Sequence, residues 1–255
     1  MKTVKFGTRV FRPELIIFDK DGTLTDFRKT WVPILDKRIE IIYEQLKEKL
    51  QKKSIKTLKN EIYETFGILD DRIDAHGPFP YTPPREDEII ISTILYKSGI
   101  PYYEAKRATH HAIEKADTLL NRVDFTVLFR GVRETLAALR KNKIKLTVAT
   151  ADQTAMARDI LKSQNIYDLF DYIVGADQVK NDKPDPEMIF KTADAMDADL
   201  KKIVMVGDSI VDMEMGRRAV IGLVVGVLEG GVATRKDLEK DADLVIDSVR
   251  DIIVM

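Results

Sequence analysis

LIIFDKDGTLTD, residues 15–26, runs an apolar stretch straight into two aspartates separated by a single lysine. A short, uninterrupted apolar run bounded by a turn signal reads as a strand buried on both faces, as strands of parallel sheets are. Asp19-Lys20-Asp21-Gly22-Thr23 then sets two carboxylates where a chain usually makes only a turn. The same rhythm returns in the carboxy-terminal half. Candidate strands lie at 145–149 (KLTVA), 172–175 (YIVG), 203–206 (IVMV), 222–227 (GLVVGV) and 244–246 (LVI). Amphipathic helical segments near 132–141, 153–164, 186–196 and 213–219 separate them. Strands alternating with helices predict an α/β fold, with a Rossmann-like parallel sheet covered by helices on both faces.

Between the first strand and the rest, the pattern changes. Residues 33–53, 55–66, 85–98 and 102–120 carry apolar residues at helical spacing, with no convincing strand among them. The segment GPFPYTPP (77–84) breaks this region in two. The reading is a core of residues 1–25 and 126–255, and an inserted all-helical cap of residues 26–125. Hinges are expected near residues 25–28 and 124–130.

Composition narrows the function. The 41 Lys and Arg nearly balance 42 Asp and Glu, so no basic footprint for nucleic acid stands out. The chain has no cysteine, which excludes disulfides and thiolate metal sites. No window approaches a membrane span and the amino-terminal stretch lacks a signal-peptide core, so a soluble cytoplasmic protein is expected.

In a parallel α/β sheet, ligands gather beyond the carboxyl ends of the strands. Asp19 and Asp21 follow the first strand, Thr150 ends KLTVAT, and Asp208 and Asp212 follow IVMV in GDSIVD. Lys183 lies in the loop KNDKPDP just ahead. Each has an ordinary reading: Asp-Gly as a turn, Ser209 or Asp208 as a helix cap, Lys183 as a solvated loop lysine, Thr150 as a strand-favouring residue. Jointly the ordinary reading weakens, because several carboxylates on one sheet edge repel one another unless a cation neutralises them. Hard oxygen ligands suit Mg²⁺, and a lysine and a hydroxyl suit phosphate oxygens. The composite reads as a phosphoryl-transfer site.

Taken together, DKDGT (19–23), Thr150, Lys183 in KPDP and GDSIVD (207–212) resemble, in order, the four motifs of the haloacid dehalogenase-like superfamily of hydrolases, in its phosphatase branch with a helical cap. The tail (226–252) looks most like phosphoglycolate phosphatases. The resemblance implies Asp19 as nucleophile and Asp21 as acid/base. It implies Mg²⁺ held by Asp19, the Asp21 backbone carbonyl and Asp208, with Asp212 as a further ligand or a partner of Lys183. Thr150, Ala151 and Lys183 would bind the phosphoryl group of a small phosphate ester. Two departures stand out. Ala151, followed by Asp152, comes directly after Thr150 where relatives often carry Asn or Ser, and Arg130 stands where proline is common.

Asp21 argues against true dehalogenases, which need no leaving-group acid. Threonine replaces it in ion-pumping relatives. A phosphosugar mutase and a phosphonate hydrolase using a cap lysine stay open on the same core, whereas the intact set of acids argues strongly against a non-catalytic module. Arg28 and Lys29, close after the first motif, are candidates to meet a substrate carboxylate, whereas His110 and His111 read as helix-surface residues.

Overall fold

The computed structural model describes residues 2–50, 53–70 and 72–255. Among them, strands run in chain order as β1 (Val4–Phe6), β2 (Arg9–Phe11), β3 (Leu15–Phe18), β4 (Lys145–Thr150), β5 (Tyr172–Gly175), β6 (Ile203–Gly207), β7 (Leu223–Val227), β8 (Leu244–Ile246) and β9 (Ile252–Val254). The helices are α1 (Phe27–Leu46), α2 (Ile55–Phe66), α3 (Pro84–Lys97), α4 (Tyr102–Leu119), α5 (Arg122–Phe125), α6 (Val132–Lys141), α7 (Thr154–Ser163), α8 (Glu187–Met196), α9 (Ile210–Arg218) and α10 (Arg235–Leu238). The chain forms two compact units, Met1–Phe27 with Thr126–Met255 and Arg28–Phe125.

The first unit is built on a six-stranded sheet in the order β5-β4-β3-β6-β7-β8, with every pairing parallel. All four residues of β3 are buried, as are all five of β6 and β7. Alternate residues feed opposite faces. Ile16 and Phe18 join Val132, Leu136, Leu139, Ala157 and Leu161 from α6 and α7. Leu15 and Ile17 join Met188, Ile189 and Met215 from α8 and α9. Helix α6 shows why it docks: Val132, Thr135, Leu136 and Leu139 recur at helical spacing and are buried. The α/β parallel sheet read from the sequence is therefore the fold.

A second, three-stranded antiparallel sheet was not anticipated. It joins β2, β1 and β9, so the two ends of the chain pair, Val4 opposite Val254. Three-residue strands are too short for alternation to register, and their pairing partners lie at opposite ends of the sequence.

The second unit is helical. Helix α2 is capped by Ser54, whose Oγ accepts from the Thr57 amide at 3.2 Å, and ends at Gly67 with φ of 76°. Ala105, Ala108, Ala112 and Ala116 are buried along α4, and these small side chains let α3 approach closely. The helix expected over 33–53 instead begins at Phe27 and ends at Leu46; residues 51 and 52 lie outside the described residues. Pro33 sits inside it. The apolar face formed by Phe27, Thr30, Ile34, Ile41 and Ile42 is buried, and that burial outweighs the one backbone hydrogen bond proline forfeits. Among the described residues, no helix is long and apolar enough to cross a membrane.

Candidate active site

Strands β3 and β6 are neighbours, with Phe18 in register with Val206. The Asp19 amide donates to the Val206 carbonyl at 2.9 Å, so pairing persists one residue past β3. The chain leaves β3 toward β4 on one side and leaves β6 toward β7 on the other. Such a reversal of strand order is where α/β sheets open a crevice for ligands. Asp19 and Asp208 both emerge there.

The loop after Asp19 folds back on itself. The amides of Leu24 and Thr25 both donate to the Lys20 carbonyl at 2.9 Å, and Gly22 donates to the Thr25 carbonyl at 2.6 Å. Gly22 has φ of +92°, and a Cβ on it would stand 2.0 Å from Asp208 Oδ2. Gly230, in the loop after β7, approaches the same carboxylate, and its Cβ would lie 2.4 Å from that oxygen. The backbone closes around Asp208 because these two positions lack side chains.

Three carboxylates meet in this cradle: oxygens of Asp19, Asp208 and Asp212 all lie within 4.8 Å of one another. Lys183 Nζ donates to Asp19 Oδ1 at 2.6 Å and to Asp212 Oδ1 at 2.7 Å. Asp212 Oδ2 accepts from the Ser209 hydroxyl at 2.6 Å and forms a capping box that starts α9. Both oxygens of Asp212 are thus engaged. Asp208 differs: Thr23 reaches Oδ1 only at 3.4 Å, and Oδ2 is buried with no hydrogen-bond partner.

Burial raises the Asp19 carboxyl to about 7, with Asp212 and Asp21 adding to the rise and Lys183 opposing it. Burial also lifts Asp208 well above the ordinary carboxylate range, reinforced by Asp19 and Asp212. For Lys183, burial alone would lower the ammonium, but Asp19 and Asp212 outweigh it and keep the proton on. Three acids thus face one lysine, with an orphaned buried oxygen among them. That all-oxygen, charge-deficient set fits a hard divalent cation.

Asp21, Thr150 and Ala151 end or follow strands β3 and β4. Asp21 holds its own arrangement: Oδ1 accepts from Thr25 Oγ1 at 2.9 Å and Oδ2 from Lys20 Nζ at 2.5 Å. Thr150, at the end of β4, is buried, and its hydroxyl accepts from the Asp152 amide at 3.2 Å. Ala151 is exposed and offers no side-chain polar atom. Arg28 is committed elsewhere: its guanidinium donates to the carbonyls of Leu69, Asp70 and Arg72 within the helical unit. His110 sits on the surface beside Glu88, 2.8 Å away.

Lys20 is the residue that sequence reasoning passed over. It is fully buried and ion-paired to both Asp21 and Asp152, the latter at 3.0 Å. Burial would strip its proton, but Asp152 and Asp21 outweigh that and hold the ammonium charged. The signal was present: a lysine between two acids has no exit to solvent when the strand before it is wholly buried.

The haloacid dehalogenase-like hydrolase family model matches residues 13–219. The chain is 25% identical over 241 residues to the phosphoglycolate phosphatase of Pseudomonas syringae pv. syringae, covering 94% of this chain and 79% of that one. It is 32% identical over 142 residues to the phosphorylated carbohydrates phosphatase of Thermotoga maritima, covering 51% of this chain and 66% of the relative. The solved β-phosphoglucomutase of Clostridium difficile shares the fold at a TM-score of 0.57 and 22% identity, over 93% of this chain and 92% of that one. A family match through most of the sequence, joined to motif residues that converge on the strand-order reversal, leads to one conclusion: this chain belongs to the haloacid dehalogenase-like hydrolases.

Proposed function

We propose that the protein is a Mg²⁺-dependent phosphatase of small phosphorylated metabolites, working through a phosphorylated Asp19. The observation that carries this reading is the buried, partnerless Oδ2 of Asp208 beside an aspartate gripped by a buried lysine. An unmet buried carboxylate oxygen costs stability, on the order of 1–3 kcal/mol or more, unless a ligand completes it. Asp19, Asp208 and the Asp21 backbone carbonyl would hold Mg²⁺, and Asp212 would serve as the anchor of Lys183, since both its oxygens are already used. When bound, the cation supplies charge neutralisation for the acids and for the phosphoryl oxygens.

The protein groups then divide the work. An Asp19 carboxylate oxygen attacks phosphorus while the bond to the leaving alkoxide breaks, and Asp21 gives that alkoxide its proton. The Asp21 carboxylate next takes a proton from water as the water oxygen attacks phosphorus, releasing phosphate and restoring Asp19. Lys183, with Thr150 and the backbone at Ala151, would offset the charge gathered on the phosphoryl oxygens. Residues 26–125, inserted directly after this loop, are proposed as the cap that selects the substrate. Relatives acting on phosphoglycolate and on phosphorylated carbohydrates support a small phosphorylated acid or sugar.

The test is a panel of phosphate esters, phosphoglycolate and hexose phosphates included, with and without Mg²⁺ in ¹⁸O-water. Hydrolysis predicts ¹⁸O in the released phosphate, abolished by Asp19→Asn. Isomerised sugar phosphate without labelled phosphate would overturn the phosphatase reading in favour of a mutase.

A further inference from the structure

Lys20 has no part in the chemistry described so far, yet it is among the largest fully buried side chains in the molecule. Sequestering a lysine so completely is unfavourable unless its charge is matched, and here two carboxylates match it: Asp21 Oδ2 at 2.5 Å and Asp152 Oδ2 at 3.0 Å. Asp152 belongs to the turn after β4, where its carbonyl also accepts from the Ala176 amide at 3.0 Å. The Asp152 amide donates to Thr150, and the neighbouring Thr25 hydroxyl takes the other oxygen of Asp21. Lys20 therefore links the turn after β3 to the turn after β4 through the carboxylate that the proposed function assigns to proton transfer.

We infer that Lys20, anchored by Asp152, is a positioning residue that fixes the orientation of the Asp21 carboxyl for transfer of its proton to the leaving group. Two donors on two different oxygens leave that carboxyl one rotamer. Removing the lysine would free it to rotate about Thr25. Asp152 thereby acquires a purpose: it holds the lysine that holds the acid. The inference rests on the proposed role of Asp21, so its test must separate the two.

Leaving-group dependence does so. Measured as kcat/KM at one fixed pH with saturating Mg²⁺, p-nitrophenyl phosphate needs little protonation of its leaving group, whereas a simple alkyl phosphate needs it fully. Lys20→Met, which keeps the buried stem, is expected to lower kcat/KM about 10²-fold or more on the alkyl ester, within the range of general acid catalysis. On p-nitrophenyl phosphate the loss should stay below about tenfold. An equal loss on both esters would mark Lys20 as structural and overturn the inference. Asp21→Asn should show the same inequality; if it lowers both esters equally, the acid role of Asp21 fails, and with it the proposed function rather than the placement of Lys20. In the double variant Lys20→Met/Asp21→Asn, the alkyl-ester loss should not exceed that of Asp21→Asn alone, and an additive loss overturns a role exercised through Asp21. Should Lys20→Met lack the wild-type circular dichroism spectrum, Asp152→Asn decides: it leaves the Lys20–Asp21 pair but loosens its anchor. A gap between the esters of about tenfold supports the inference, and no gap overturns it.

Discussion

Both units bury acids, and they do so for different ends. In the helical unit, Arg38 of α1 is 3% exposed and reaches Asp87 of α3 at 3.0 Å and Asp117 of α4 at 3.3 Å. The second oxygen of Asp87 accepts from Thr82 at 2.6 Å. Both Asp87 oxygens are satisfied, and Asp117 reaches solvent. That cluster is a brace between three helices. In the sheet unit, Lys183 bonds two of three clustered acids, and Asp208 Oδ2 has no partner. Buried charge alone is therefore poor evidence of a site. An unmet buried atom alone is poor evidence too, since Arg38 Nε within the brace also lacks a partner; what sets the sheet unit apart is an unmet oxygen inside a cluster of three carboxylates.

The contrast can be broken most decisively at Asp19. Asp19→Asn is expected to lower kcat by about 10⁴-fold or more while leaving the fold intact, as measured by turnover of the best ester and by circular dichroism. An activity loss accompanied by unfolding would put the core cluster in the same structural class as the brace.

The brace should show the opposite balance. Arg38→Met strands Asp87 and is expected to destabilise the helical unit by about 3–5 kcal/mol in denaturant unfolding. Arg38→Met combined with Asp87→Leu should recover most of that loss, since an apolar pair removes the uncompensated charge. Failure to recover would show that the two groups are not coupled as the 3.0 Å contact implies.

A sharper comparison comes from Asp208→Asn. Without divalent cation it should raise the thermal midpoint, by a few degrees for about 1 kcal/mol, by relieving repulsion among buried acids. With Mg²⁺ it should lose the stabilisation that the cation gives the wild type. A lower midpoint in EDTA would contradict the reading of Oδ2 as a cation-binding oxygen.

The two units should also differ in their response to pH. Asp19 and Asp87 are both raised, to about 7 and about 6, chiefly by burial. A carboxyl that holds its proton more tightly folded than unfolded adds stability that is full below about pH 4 and is lost as pH climbs through its folded value. In EDTA, the sheet unit should therefore weaken between about pH 4 and 7, and the Mg²⁺-induced rise in midpoint should be larger at pH 8 than at pH 5. For the helical unit the window closes near pH 6, and Asp87→Asn should flatten it. A Mg²⁺ effect that shrinks toward pH 8 would reverse the sign argued here.

Much of this architecture was legible beforehand. The strands at 15–18, 172–175 and 244–246, and the helices at 55–66 and 132–141, occur within the same limits in the structure, because each rests on periodicity inside one short window. Elements that depend on distant partners were not legible. The β1-β2-β9 sheet pairs the two chain ends, and α1 runs through Pro33 because its buried face overrides a local breaker. Of the candidate site, Asp19, Asp208 and Asp212, placed after strands, come together with Lys183 from a loop, whereas Arg28 donates to carbonyls of its own unit.

The sequence by itself determined which side chains leave the strands at the sheet's carboxyl edge, since burial periodicity dictates where each strand stops. Which oxygen each donor takes was decided only by tertiary structure. Lys183 meets Asp19 across 164 residues of chain, Ser209 claims one oxygen of Asp212, and Lys20 is shut between Asp21 and Asp152. Hydrophobic pattern is a property of neighbours in sequence. Satisfaction of buried charge is a property of neighbours in space, and it separates Asp212, with both oxygens engaged, from Asp208, whose Oδ2 is unmet, though the two look alike in the chain.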